Sequence, residues 1–83
     1  MTADSKLWQD EVGDMRAEAH WHAETGDIEV VVTQSGARRL RERFVPVYQP
    51  IFGIDVGDLA TARVIAEKLA QRLERGEGSP VES

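Results

Sequence analysis

Two histidines, His20 and His22, stand two residues apart with Glu18 and Glu24 on either side. On an extended chain all four side chains project to the same side, because successive residues of a strand alternate. Two imidazoles at this spacing, with a carboxylate as third ligand, can chelate a divalent metal. The competing reading is a solvated polar face on which His22 meets a cross-strand acid, Glu29. With no cysteine and no fixed third ligand, the polar face is favoured, and neither a metal nor a cofactor is expected.

A second cluster is basic: Arg38, Arg39, Arg41 and Arg43 fall within six residues. If the segment is a strand, Arg39, Arg41 and Arg43 line one face, a stripe that can follow a phosphate backbone. The alternative is charge compensation inside the protein. Residues 1–34 hold Lys6 and Arg16 against eight acids, whereas residues 35–45 hold these four arginines against Glu42 alone. The whole chain carries −5 at neutral pH, which repels a polyanion at long range. Nucleic-acid binding through Arg38, Arg39, Arg41 and Arg43 is therefore the secondary reading.

The aromatic residues are Trp8, Trp21, Phe44, Tyr48 and Phe52. In a chain of 83 residues most of them are expected in the core. Tyr48 and Phe52, set among prolines, offer an alternative as anchors of a protein interface. Val64 joins them as an apolar residue on the outer side of a helix. Catalytic signatures are missing. Gly53-Ile54-Asp55-Val56-Gly57 lacks the spacing and the lysine of a phosphate-binding loop, and no serine sits in a Gly-x-Ser-x-Gly elbow. A chain this short also struggles to enclose a water-free pocket. The expectation is that the protein is not an enzyme.

The elements that position these residues follow from periodicity. Residues 17–24 alternate, with Ala17, Ala19, Trp21 and Ala23 on one side. Residues 28–34, centred on Val30-Val31-Val32, read as a second strand. Thr25-Gly26 is taken as a two-residue turn, which sets Ala23 opposite Ile28, Trp21 opposite Val30 and Ala19 opposite Val32. Residues 37–45 fit a strand or a short helix, and a third meander strand is favoured because Pro46 biases Val45 away from α geometry. Pro46 and Pro50 exclude a helix over 45–54, so that segment is expected as an extended, partly buried strap across the sheet.

A helix over 56–75 is the clearest element. Asp55 suits its N-cap, Asp58 takes the carboxylate position of a capping box, and Ile54 and Leu59 form a hydrophobic staple. Leu59, Ala62, Ile65, Ala66, Leu69, Ala70 and Leu73 form one apolar stripe, and Gly76 is a natural stop. At the other end, Trp8, Val12 and Met15 recur at helical spacing, so 5–12 reads as a short helix or a loosely held arm. Gly13 weakens that helix by about 1 kcal/mol.

These readings describe one α+β domain: an N-terminal arm or short helix over 1–15, a core over 16–75 and a disordered tail over 76–83. An antiparallel hairpin, extended to three strands, is covered on one face by the C-terminal helix. Trp21, Ile28, Val30, Val32, Leu40 and Phe44 should meet Leu59, Ile65, Ala66, Leu69 and Leu73. Removing a central Trp21 ring should cost about 3–5 kcal/mol. A domain this small buries only roughly 60–65% of its unfolded surface, so association with a second copy is expected to add stability. No apolar run reaches the roughly 18 residues of a membrane span, no signal peptide is readable at the start, and the lack of cysteine fits a reducing cytoplasm. The function these features favour is a small acidic interaction or regulatory module acting as a homodimer or with a protein partner.

Overall fold

A computed structural model describes residues 5–35 and 38–80. It holds a five-stranded antiparallel sheet in sequential order: β1 (Ser5–Val12), β2 (Met15–His22), β3 (Asp27–Gln34), β4 (Arg38–Phe44) and β5 (Ser79–Pro80). One helix, α1 (Val56–Glu74), crosses a single face of that sheet, over β3 with β2 and β4 on either side. The α+β class, the meander and the C-terminal helix are as the sequence indicates, and the sheet is larger than three strands.

The expected N-terminal helix is replaced by β1. Val12 pairs with Met15, so Gly13-Asp14 is a two-residue hairpin turn, and Gly13 takes φ +62° at its first central position. That is where a type II′ turn requires glycine. The residue that weakens a helix here is the one that makes the hairpin. A bulge between Lys6 and Trp8 then shifts the pairing by one, which brings Trp8 opposite Ala19 on the helix side.

β2 and β3 pair as expected in face but not in register. The loop is Ala23–Gly26, four residues rather than two, closed by the Gly26 N–H donating to the His22 carbonyl at 2.8 Å, with Gly26 at φ +73°. Trp21 therefore faces Ile28, Ala19 faces Val30 and Ala17 faces Val32. A shift of two residues keeps every side chain on its face. The apolar surface is unchanged, and only the cross-strand neighbours differ.

The core lies between that surface and α1. Ala19, Ile28, Val30, Ala62, Leu69 and Leu73 are fully buried, and Met15, Ala17, Val32, Ile65 and Ala66 nearly so. Trp21, Leu40 and Phe44 pack on its margin rather than at its centre, joined there by Leu7 and Trp8 of β1. Leu59 is half-buried. The large cost expected for losing Trp21 accordingly moves to Leu69.

The end of α1 is a Schellman motif: Gly76 N–H donates to the Leu73 carbonyl at 3.0 Å and Glu77 N–H to the Arg72 carbonyl at 3.1 Å, with Gly76 at φ +92°. The chain does not then leave the domain as a disordered tail. Gly78 turns it back so that Ser79 pairs with Arg39 and Pro80 with Arg38; residues 81–83 lie outside the described residues. Gly78 has φ +111°, and a Cβ there would lie 2.8 Å from Leu73 Cδ2 and 3.1 Å from the Arg39 carbonyl oxygen. Gly78→Ala is expected to destabilise the domain by about 1–3 kcal/mol, through left-handed strain and the clash with a core leucine. Thermal unfolding checks it.

Candidate functional site

The sheet has one face covered by α1 and one face open. The open face presents Arg16, Glu18, His20 and His22 from β2, Glu29, Val31 and Thr33 from β3, and Arg39, Arg41 and Arg43 from β4. The two histidines and three of the four candidate arginines thus share a surface, as strand alternation requires. Arg38 is on the other side, where its guanidinium donates to the Gly76 carbonyl and ties β4 to the end of α1.

Glu29 is the centre of the open face. It is 7% exposed, and its carboxylate meets His22 Nε2 at 3.1 Å, Arg43 Nε at 3.5 Å and Arg41 Nη1 at 3.9 Å. One buried acid therefore ties β2, β3 and β4 together and takes up part of the charge of the basic segment. The His22–Glu29 contact anticipated in the sequence is present, but diagonally: the residue opposite Glu29 is His20, and the one opposite His22 is Asp27. His20 turns to Glu18 at 2.7 Å. Among the described residues, no three His, Asp or Glu side chains are grouped to hold a metal ion.

At the hairpin end of this face Asp27 accepts a 2.6 Å hydrogen bond from the Thr25 hydroxyl and lies 3.5 Å from Arg43. The hydroxyl first, then the guanidinium, hold its carboxyl below the ordinary value of 3.8. This contribution to stability is in place above pH 3.8 and is lost as the pH falls through the lower folded value.

The second candidate surface is the segment between β4 and α1. It does not lie across the sheet as expected. Val45, Val47, Tyr48, Ile51 and Phe52 are 80%, 75%, 64%, 73% and 101% exposed, and only Pro50 is buried. The cause is that α1 already fills the apolar sheet face and the other face is charged, so the strap has no apolar surface left to cover. Val56 (82% exposed) and Val64 (64%) continue the apolar surface along α1, with Ala60 between them at four-residue spacing. Tyr48, Phe52 and Val64, singled out in the sequence, are all at the surface.

The strap is exposed but anchored. Asp55 caps α1 by accepting from Gly57 N–H at 2.9 Å, as the sequence indicates. Asp58 does something else. Instead of closing a capping box, its buried carboxylate accepts from the backbone N–H groups of Val47 at 3.0 Å and Tyr48 at 3.4 Å. The strap is thereby fixed to the first turn of α1. Asp58→Ala leaves both donors without their acceptor, and a loss of about 1–3 kcal/mol is expected. Amide exchange at Val47 and Tyr48 should accelerate in that variant, with Asp58→Asn intermediate.

No helix among the described residues is long and apolar enough to cross a membrane. In comparisons with protein-family models, with curated proteins and with solved structures, the chain matches none.

Proposed function

We propose that the protein is a non-catalytic interaction module of regulatory type that works in the cytoplasm by associating with a second copy of itself through the strap and the outer ridge of α1. The observation that carries this reading is the exposure of Val45, Val47, Tyr48, Ile51, Phe52 and Val56 on one anchored segment. Tyr48 and Phe52 are aromatic side chains of the kind that bury on the order of 150 Å² or more each, and four exposed aliphatic side chains stand beside them in the chain, toward the roughly 800 Å² that each partner buries in a standard interface. Surfaces of monomers rarely leave a continuous apolar patch of that size in water. Asp58 adds support, because a segment held in place by a buried carboxylate loses less freedom on binding than a mobile loop.

The pairing of Arg41 and Arg43 with Glu29, and of Arg43 with Asp27, weighs against the phosphate-backbone reading of the basic segment. Light scattering over a range of concentration and salt, run beside a gel shift with duplex and single-stranded oligonucleotides, tests the two together. The expected result is a mass of twice 9.2 kDa that persists at high salt, with no shifted band. A monomer at every concentration that shifts DNA with steep salt dependence would overturn the proposal in favour of the nucleic-acid reading.

A further inference from the structure

The four arginines of the open face are not equivalent. Arg16, Arg41 and Arg43 keep 55%, 53% and 46% of their side chains exposed, and each reaches a carboxylate. Arg39 is the most enclosed of the four, yet no carboxylate among the described residues lies within ion-pair distance of it, and its Nε is buried without an acceptor. Enclosed charges in folded proteins are ordinarily paired. Among the described residues, the best-shielded arginine of this face is the one without a counter-charge.

Its neighbours supply the rest of a site. Thr33 is directly opposite Arg39 on β3, and Arg16 is directly opposite Thr33 on β2. Adjacent strands are about 4.8 Å apart, so two guanidinium-bearing residues flank a hydroxyl across a backbone gap of about 10 Å. Arg41 stands two residues along β4 on the same face, and Arg16 is held by Glu11 of β1 at 3.4 Å and by Glu18 of β2 at 4.0 Å. A concavity of about 760 Å³ lies over this row and is lined by Arg16, Thr33, Arg39 and Arg41.

We propose that this row is a binding site for the phosphoryl group of a small phosphate monoester, with Arg39 as its main contact, Thr33 donating its hydroxyl, and Arg16 and Arg41, each already paired with a carboxylate, at its edges. Guanidinium groups match phosphate oxygens in pairs, and positions on regular strands are already ordered before the ligand arrives. The same concavity includes Glu11, Asp14, Glu18 and Glu29. A long polyanion laid across it would run onto these acids, whereas a single phosphoryl group between Arg39 and Thr33 does not. The site is on the face opposite α1 and is independent of the strap.

The test is an amide NMR titration of the full chain at low ionic strength with inorganic phosphate, with phenyl phosphate and with a single-stranded oligonucleotide. Saturable shifts centred on Arg16, Thr33 and Arg39 are expected with the first two ligands. Arg39→Gln and Thr33→Val should each weaken binding by about tenfold or more. Arg63→Gln, which removes the same charge from the exposed side of α1, should change it less than about twofold. Thr33→Val keeps the test valid should Arg39→Gln disturb the β4–β5 pairing. Shifts that do not saturate, an equal loss in Arg63→Gln, or an oligonucleotide that saturates the same amides more tightly than either phosphate would overturn the assignment.

Discussion

Leu69→Ala should lower the stability of this domain by about 3–5 kcal/mol, the range for emptying a leucine site that cannot collapse. Leu69 is fully buried in the layer between α1 and the sheet, in one cluster with Ile28, Val30, Val32 and Leu73, which are 1% exposed or less. Those neighbours are fixed by strand pairing on one side and by the helix on the other, so little can move in to fill the space. A chain of 83 residues has a total stability on the order of 4–12 kcal/mol. The variant therefore loses a large part of it, and its melting temperature should fall by about 15 °C or more. Glu67→Ala, exposed on the same helix, should stay within about 0.5 kcal/mol of the parent. Thermal unfolding of both at one protein concentration is the measurement. A fall of only a degree or two for Leu69→Ala would mean that α1 does not pack on the sheet as described.

Phe52→Asp should have the opposite profile, with little effect on the fold and a large effect on association. The ring is 101% exposed, so its removal opens no cavity. If the strap is the contact between copies, Phe52 is its most prominent aromatic anchor, and anchors of that kind are worth about 2 kcal/mol or more each. A charge at the same point adds desolvation on both sides of a symmetric contact, where residue meets its own copy or close neighbours. The dissociation constant should rise by about thirtyfold or more while the melting temperature of the dilute protein holds. A variant that associates as tightly as the parent would remove Phe52 from the interface.

The sequence disclosed what depends on local pattern. Alternation over 17–24 and 28–34 assigned side chains to faces, and the Leu59–Leu73 stripe with Asp55 and Gly76 at its ends defined α1. Both survive an error of register, because a strand shifted by two residues keeps its faces. Non-local geometry stayed hidden. Trp8, Val12 and Met15 satisfy helical spacing, and only the pairing of Val12 with Met15 around Gly13 shows that the spacing is incidental.

Asp58 occupies a capping position, yet its oxygens accept from Val47 and Tyr48, eleven and ten residues back. The apolar residues of the strap imply a partly buried segment across the sheet. Its exposure follows from the sheet having one apolar face that α1 already covers. On the open face, His20, His22 and the odd-numbered arginines were visible as candidates. The role of Glu29, and an Arg39 Nε with no acceptor among the described residues, appear only once β2, β3 and β4 lie side by side.

The most direct test of the central claim is amide hydrogen exchange of the intact chain at two concentrations, one well below and one well above the midpoint of association. Added protection is expected at the higher concentration over residues 45–56 and on the outer side of α1 near Val64, with β2 and β3 unchanged. Exchange over 45–56 that is the same at both concentrations, or new protection confined to the sheet, would contradict it.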